Sequence, residues 1–215
     1  MSEPSSLPAS PKWRRRADAR PAEIVQAAYE VFAEKGFAAA KLDDIAKRAG
    51  VSKGALYLYF ETKQDIFEAV VTDAVAPNIG AIEQFALGFP GPFEQLIRMM
   101  VPRVAEMADR TGMGKVIKMV IGESGNFPEI ARIWHDDVIA KGIGLLTKII
   151  SQAQARGEVR AGDARQYALS IAGPLLTAII FRETFVPVGA KPFDIPALMQ
   201  QHLDALLPGL LTSRP

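Results

Sequence analysis

The segment 41–63, with the sequence KLDDIAKRAGVSKGALYLYFETK, constrains what this chain can fold into more than any other part of it. Its apolar residues recur at helical spacing in two short runs, and Gly50 between the runs tolerates the positive φ that a sharp turn needs. Ser52 can cap the second run through its hydroxyl. The pattern predicts a helix-turn-helix, in which one short helix supports another.

The second helix of this motif has two different faces. Leu56, Tyr59 and Phe60 are three and four residues apart, so they share one face, which we expect to dock on the first helix. Lys53 and Tyr57 are also four residues apart and point the other way. A lysine and a tyrosine on a free helix face suit phosphate contact and the reading of base edges. The motif is therefore predicted to bind duplex DNA.

This segment and the helix before it resemble the DNA-binding end of the TetR family of bacterial transcriptional regulators. The resemblance extends over residues 20–70, and in the rest of the chain it is a looser likeness of helical pattern that includes 123–157. It implies an N-terminal three-helix DNA-binding domain and a larger C-terminal helical domain. The residues that carry it are Ile24, Ala27, Ala28, Phe32, Gly36, Phe37, Asp44, Ile45, Ala46, all of 49–57, Tyr59, Phe60 and Lys63.

Three positions depart from the family's pattern. Lys41 stands where the family usually has a small hydroxyl residue, and a lysine can reach a phosphate but cannot cap the helix that follows. Ala55 and Leu58 replace the threonine and histidine that are common in the second helix, so a relative's base preference does not transfer. Phosphate contacts are predicted for Lys41, Lys53, Tyr57 and Lys63, and base contacts for Ser52, Gly54, Ala55 and Leu58.

The composition is typical of a protein from a reducing compartment. The chain of 215 residues is 49% hydrophobic, which is enough for a substantial core, and it has no cysteine for disulfides or thiolate metal sites. Its longest apolar stretch, 173–181, is interrupted by Thr177 and is shorter than the ~20 residues that span a membrane. The N-terminal residues form no hydrophobic signal segment. We therefore expect a cytoplasmic location and no membrane partner.

Positive charge is concentrated near the helix-turn-helix. The net charge is +1, but 41–63 contains five basic and three acidic residues, and 12–16 adds the basic cluster KWRRR. Residues 1–19, rich in proline, serine and alanine, are predicted to form a disordered basic arm. This arm can lie along the DNA backbone or in the minor groove, or it can be a solvated tail that only aids solubility.

Helical periodicity continues along the chain and predicts an all-α fold. A first helix over 21–35 ends at Gly36, and with the helix-turn-helix it forms a DNA-binding domain over 20–66. Thr62, with Asp65 three residues on, is expected to cap a helix that packs on both halves of the protein and acts as a lever. The effector-binding and dimerisation domain over 67–215 continues with a broken helix or loop at 77–92 and helices at 92–110, 114–122, 128–156, 163–185 and 194–207.

The last two predicted helices are apolar on more than one side. From Ala168 to Phe181 the residues are apolar almost all round, and the helix at 194–207 repeats leucine at helical spacing. Such helices either fill the core of one subunit or pair with a second subunit in a four-helix bundle. A helix-turn-helix protein normally binds two half-sites, which favours a homodimer. Candidate dimer contacts are Leu169, Leu176, Ile180, Leu203 and Leu206.

The middle of the chain is rich in methionine and phenylalanine. Methionine fits irregular and adaptable pockets, and Pro102 is expected to kink the helix at 92–110. The resemblance implies that this region holds a small-molecule effector, whereas apolar residues at helical spacing can also be ordinary core. Candidate lining residues are Phe85, Met99, Arg103, Met107, Ile117, Ile121 and Trp134, with Glu106, Glu123 and His135 as further polar anchors.

The sequence contains no recognisable pattern for catalysis, a metal or a cofactor. Its two histidines, His135 and His202, are far apart, and the run 134–137 directs its side chains to different sides of a helix. With the resemblance, the sequence predicts a dimeric repressor that a small, largely apolar ligand releases from an inverted-repeat operator. The alternatives are a ligand-independent regulator or activator with a filled core and, with weaker support, an enzyme on a helical scaffold.

Overall fold

A computed structural model describes residues 20–110 and 112–212 of the chain. Within these residues the chain forms eleven α-helices and no β-sheet, and its extended pairing is an isolated bridge between Val159 and Leu211. The all-α prediction is confirmed, while the predicted arm at 1–19 lies outside the described residues. In chain order the helices are α1 (Arg20–Ala39), α2 (Leu42–Arg48), α3 (Lys53–Tyr57), α4 (Lys63–Ala69), α5 (Ala76–Leu87), α6 (Phe93–Arg110), α7 (Met113–Glu123), α8 (Pro128–Trp134), α9 (Ala140–Ala155), α10 (Ala164–Phe185) and α11 (Ile195–Leu210).

Side-chain caps begin several helices at the predicted places. The Ser52 hydroxyl accepts a hydrogen bond from the Ala55 N–H at 3.1 Å at the start of α3. Thr62 and Asp65 form the reciprocal capping box at the start of α4. The aspartates that precede α10 and α11 accept hydrogen bonds from the first-turn N–H groups of these helices.

Two long helical stretches each contain a wider π-helical turn. Val70–Val75 joins α4 to α5, and His135–Ile139 joins α8 to α9, so each stretch runs without a loop. Of the two alternatives predicted for 77–92, the structure shows a helix that breaks, with helix through Leu87 and irregular backbone only in the short turn between α5 and α6. Proline lacks a backbone N–H, and an irregular turn such as the one before Pro77 is where a helix accommodates it.

Four phenylalanines join the N-terminal helices to the rest of the protein. Phe32 and Phe37 belong to α1, Phe67 to α4, and Phe127 to the link between α7 and α8. The Phe37 ring centroid lies 5.5, 5.8 and 5.1 Å from those of Phe32, Phe67 and Phe127. The three rings from α1 and α4 are buried. Because edge-to-face contacts add to the free energy of burial, this cluster fixes α1 and α4 against the C-terminal helices.

Helix α11 packs on α6 and α10 at the C-terminal end of the chain. Its residues Met199, Leu203 and Leu207 are fully buried inside the subunit. The prediction of Leu203 as a dimer contact is therefore wrong, because this side chain already lies in the subunit's own core. Of the other predicted contacts, Leu169 and Leu176 are 62% and 38% exposed, and Ile180 and Leu206 are partly buried.

In the described part of the chain, one helical stretch, Ala164–Val188, is long and apolar enough to cross a membrane, judged by length and composition alone. The mean hydropathy of its most apolar window is 1.4, and 17% of that window is buried within the subunit. It is longer than the run at 173–181 because apolar and small residues, mixed with short polar runs, extend it on both sides. A helix of this kind leaves an apolar side that the single subunit does not cover.

Gly36 is a position in α1 where any other residue should destabilise the fold. Its φ of 78° and ψ of 170° lie in a region that is nearly restricted to glycine, and an added Cβ would lie 2.5 Å from the Glu123 Oε1. We expect Gly36→Ala to lower the free energy of unfolding by about 1–3 kcal/mol, as measured by urea denaturation. Gly142→Ala in α9 is the matched control, because Gly142 has open space at its Cβ position. An equal loss at both positions would contradict the backbone argument.

Candidate nucleic-acid interface

The two short helices α2 and α3 meet through a small apolar contact. Ile45 and Ala46 of α2 and Leu56 of α3 are buried. Gly50 between the helices has a φ of 68°, and the Val51 N–H donates to the Ala46 carbonyl at 3.0 Å, which closes the turn. The predicted helix-turn-helix is therefore confirmed, with glycine at the position that needs a positive φ.

Helix α3 is shorter than the sequence pattern predicts. It ends at Tyr57, and the N–H groups of Tyr59 and Phe60 both donate to the Leu56 carbonyl in the turn that follows. Phe60 is half-buried against the core, but Tyr59 is 40% exposed. The docking face predicted for these residues is correct for Leu56 and Phe60, whereas Tyr59 is directed largely outward by the turn that follows the helix.

The outer side of α3 and of the residue after it carries a row of exposed groups. Ser52, Lys53 and Gly54 are exposed at its start, and Tyr57 and Leu58 are 46% and 82% exposed at its end. A tyrosine hydroxyl suits the polar edge of a base, and an exposed leucine suits a thymine methyl group. We call these five residues the reading row.

The remaining predicted contacts lie beside or beneath the reading row. Ala55 is half-buried under it. Lys41 is exposed at the N-terminal end of α2 and, as predicted, makes no side-chain capping bond within the described chain. The Lys53 ammonium lies 2.8 Å from a carboxylate oxygen of Asp43 in the first turn of α2. Seven of the eight predicted DNA-binding residues are thus exposed or half-buried at the start of α2 and in or beside α3, and their contacts with DNA stay a prediction.

Lys63 occupies a different place from the other predicted contacts. Its ammonium donates to the carbonyls of Phe37, Ala38 and Ala40 at 2.5, 3.2 and 3.1 Å, at the C-terminal end of α1. It also lies 4.5 Å from the centroid of the Phe37 ring, and burial lowers the pKa of Lys63 below its ordinary value. Lys63 therefore caps α1, while its contact with a phosphate stays a prediction. The sequence signal for this role was Gly36, because a break in a helix leaves backbone carbonyls that need hydrogen-bond donors.

Further contacts tie the end of α1 to the C-terminal domain. The Glu123 carboxylate, at the end of α7, accepts a hydrogen bond from the Ala38 N–H at 2.6 Å. Gln64 of α4 donates to Glu129 of α8 at 3.2 Å. Glu123, a candidate ligand anchor by sequence, is therefore engaged in holding the C-terminal end of α1. We call these two hydrogen bonds, with the contact of Phe37 and Phe127, the domain junction.

The residues predicted to line an effector pocket do not share one environment. Ile121 is 53% exposed on α7, and Arg103 is exposed on α6 with its guanidinium 4.6 Å from the Phe85 ring centroid. The assignment of Ile121 and Arg103 to a core pocket is wrong, because both lie on the outer sides of their helices. Of the other candidates, Ile117 and Trp134 are buried, and Phe85, Met99 and Met107 are partly buried.

Two clefts lie away from these residues. A cleft of 510 Å³ separates the end of α1 from α7 and α10, and Lys35, Lys115 and Glu183 lie on its walls. A second cleft of 480 Å³ lies at the turn between α5 and α6, with Phe89 and Arg156 on its walls. None of the seven predicted lining residues belongs to either cleft. The set of residues that would line an effector site stays a prediction.

Helix α3 is short, capped and exposed, and α2 supports it in the N-terminal part of an all-helical protein. This arrangement defines a helix-turn-helix DNA-binding protein. Comparison with protein families gives the same class. The family model of bacterial regulatory proteins of the tetR family matches residues 24–70, and the model of a tetracyclin repressor-like C-terminal domain matches residues 91–191. The chain belongs to the TetR family, and it is a DNA-binding transcriptional regulator.

Two relatives match along most of the chain. The HTH-type transcriptional repressor BepR of Brucella suis biovar 1 (strain 1330) is 30% identical over 192 residues, which cover 84% of this chain and 88% of the relative. The fatty acid metabolism regulator protein of Bacillus subtilis (strain 168) is 25% identical over 189 residues, which cover 87% and 94%. Members of the family are regulators and not enzymes, so the enzyme alternative is wrong.

The fold is also that of solved family structures. The transcriptional regulator FadR from Bacillus subtilis, in complex with stearoyl-CoA, has a TM-score of 0.72 at 23% identity, and the match covers 87% of this chain and 98% of that one. A TetR-family regulator from Mesorhizobium loti MAFF303099 has a TM-score of 0.74 at 20% identity, with coverage of 92% and 99%. These likenesses show that the arrangement of the helices is the family's own.

The capping role of Lys63 predicts a loss of stability that does not depend on DNA. Lys63→Met keeps most of the aliphatic chain but removes charge-assisted hydrogen bonds from the end of α1, so the free energy of unfolding should fall by about 1.5–3 kcal/mol. Urea denaturation without DNA measures this change. Lys47→Met, on the exposed side of α2, is the control and should change the free energy by less than about 0.5 kcal/mol. Unchanged stability with weaker DNA binding would assign Lys63 to a phosphate instead.

Proposed function

We propose that this regulator is a homodimeric repressor that acts in the cytoplasm and that a small, largely apolar ligand releases from an inverted-repeat operator. The observation that carries the proposal is the reading row, where Tyr57 and Leu58 project from a helix that α2 supports. Two relatives favour the same function. One is named a repressor, and a solved family structure is a complex with stearoyl-CoA.

In the proposed complex, helix α3 of each subunit enters a major groove of the operator. Because α3 has only five residues, each subunit makes few base contacts, and two half-sites are needed for selective binding. Gly54 lets the backbone of α3 approach the base edges closely. The proposed base contacts are Ser52, Gly54, Ala55 and Leu58, the proposed phosphate contacts are Lys41 and Lys53, and Tyr57 is proposed to reach both a phosphate and a base edge.

Tyr57 and Lys53 should affect DNA binding in different ways. Tyr57→Ala should abolish the preference for the operator over random duplex, because it removes a side chain that reads base edges. Lys53→Ala should weaken binding to every duplex and reduce the salt dependence by about 0.9 in slope per subunit, because it removes one phosphate contact. Binding to DNA upstream of the protein's own gene and to a selected-oligonucleotide pool, followed by nuclease footprinting, measures both effects.

The footprint also tests the symmetry of the proposed complex. A protected inverted repeat that an even number of subunits occupies would support the proposal. An unchanged footprint with Tyr57→Ala would remove the role assigned to that side chain. Failure to protect any selected duplex would overturn the operator-binding repressor.

The proposed homodimer rests on the apolar surface of α10. Leu169, Leu176 and Ile180 are seven and four residues apart, so they share one face of this helix, and the first two are exposed in the single subunit. Only 17% of the apolar window of Ala164–Val188 is buried. Pairing α10 and α11 with the same helices of a second subunit would cover this face in a four-helix bundle, with Leu206 at its edge.

A charge on this face should separate the subunits. Leu169→Glu places a carboxylate near its symmetry mate in an apolar contact, so the dissociation constant of the dimer should rise by more than about tenfold. Analytical ultracentrifugation measures the change. Leu87→Glu on α5 is the control, because Leu87 is also exposed, at 42%, but lies on another helix. A dimer that tolerates Leu169→Glu, or that Leu87→Glu disrupts equally, would contradict this interface.

A ligand can release the operator only if it binds two arrangements of the protein with unequal affinity. The proposed lever is α4, which packs on α1 and α8 and continues through the π turn at Val70–Val75 into α5. The domain junction gives the same helices a second connection. A shift of these elements would change the separation of the two α3 helices along the DNA.

A ligand-independent regulator is the alternative to this mechanism. The burial of Ile117 and Trp134 among the C-terminal helices favours it, because these side chains fill space that a ligand would otherwise occupy. A series of apolar compounds added to the operator complex separates the two proposals. Release of DNA with a raised unfolding temperature supports ligand control, whereas no change in either quantity across the series supports a filled core.

A further inference from the structure

Acidic side chains balance the basic side chains in the N-terminal DNA-binding region. Residues 20–70 contain seven basic and eight acidic residues, so this region has no net positive charge to attract DNA. Arg48 of α2 pairs with Glu34 of α1 at 2.7 Å, and Lys35 of α1 pairs with Asp44 of α2 at 2.9 Å. Both pairs hold α1 and α2 together. Within residues 20–70, binding to the phosphate backbone therefore depends on the few cations beside the reading row.

The ion pair of Asp43 and Lys53 lies in a different position. It joins the first turn of α2 to the first residue of α3, with 2.8 Å between Asp43 Oδ1 and Lys53 Nζ. The two side chains are 61% and 55% exposed, and Lys53 belongs to the reading row. The hydrogen bond to Asp43 raises the pKa of Lys53 above its ordinary value, so the ammonium is charged at neutral pH. A carboxylate thus accompanies a cation on the side of the domain that carries Tyr57 and Leu58.

We infer that Asp43 is a specificity-determining residue, which holds Lys53 in one position and thereby suppresses binding to DNA that lacks the operator sequence. The inference rests on the proposed function, because it takes Lys53 as a phosphate contact. An ammonium has three N–H donors, so Lys53 can donate hydrogen bonds to Asp43 and to a phosphate at the same time. It can do so only where the phosphate lies in the direction of a remaining donor.

Operator and random duplex differ in how often they meet this condition. Base contacts hold the operator complex in one pose, in which a pre-positioned Lys53 loses little side-chain freedom on reaching its phosphate. Random duplex is bound in many poses, and electrostatics supplies essentially all of the affinity there. In most of these poses Lys53 must leave Asp43 or give up the phosphate, and the exposed carboxylate repels the backbone. The pair therefore lowers the random affinity more than the operator affinity.

The test compares Asp43→Asn with Asp44→Asn, which makes the same change of charge at the next residue. Asp44 is the matched control because its side chain is only 33% exposed and pairs with Lys35 of α1. Fluorescence anisotropy over a salt series measures the binding of each full-length variant to two duplexes. One is selected from a random-sequence pool by the wild-type protein, and the other is a scrambled duplex of the same composition.

For Asp43→Asn we expect binding to the scrambled duplex to tighten by about fivefold per subunit at near-physiological salt, with a salt slope that is steeper by about 0.9 per subunit. Affinity for the selected duplex should change by less than about twofold, so the ratio of the two affinities falls. Asp44→Asn should leave the ratio of the two affinities within about twofold of wild type, because Asp44 pairs with Lys35 of α1 and salt screens its charge from Lys53. Asp43 is exposed, and its substitution should preserve the fold.

Two results would overturn the inference. Equal tightening on both duplexes would show that the Asp43 carboxylate changes affinity but not specificity. Equal affinities of Asp43→Asn and Asp44→Asn would show that the position of the carboxylate has no role. Lys53→Gln distinguishes these results from a failure of the proposed contact. Weaker binding of Lys53→Gln to the scrambled duplex supports Lys53 as a phosphate contact, whereas unchanged binding overturns that contact and the inference that rests on it.

Discussion

Side chains from three other elements hold the C-terminal end of α1, and the position of the reading row depends on them. Gly36 breaks the helix there, which leaves carbonyls that accept hydrogen bonds from the Lys63 ammonium and an Ala38 N–H that donates to Glu123. Phe37 is buried between α4 and the α7–α8 link, with the Phe127 ring 5.1 Å away. Charge-assisted hydrogen bonds in a half-buried place are strong, so this end of α1 has little freedom. Helix α2 follows directly, and α3 is placed by α2.

This dependence explains how so short a reading helix can be ordered. A helix of five residues is unstable alone, because few of its backbone groups bond within it. The Ser52 cap and the Gly50 turn supply part of what it lacks, and the buried Leu56 adds a contact that is available only when α2 is already in place. The two domains are connected in the same way, because α4 and the domain junction contact both α1 and the C-terminal helices.

The placement of charge and of apolar surface follows a similar logic. Ion pairs between α1 and α2 use basic residues to join helices, so the local sum of charges says little about which cations face DNA. Helix α10 is apolar around most of its circumference, but one subunit covers only part of it. Leu203 and Leu169 have the same side chain in neighbouring helices, yet one is in the core and the other is 62% exposed. Periodicity shows that a helix face is apolar, and the packing of helices decides what covers it.

Local patterns in the sequence were enough to predict the helix-turn-helix, the starts of α3 and α4, the break at Gly36 and the all-α class. These features depend on caps, turns and spacings that act within about four residues, where the physical chemistry is local. Packing between distant elements was needed to establish that Lys63 caps α1, that Tyr59 is exposed, and that 77–87 continues α4 through a π turn. Each of these depends on which distant element arrives beside the residue, and a sequence pattern carries no information on the identity of that neighbour.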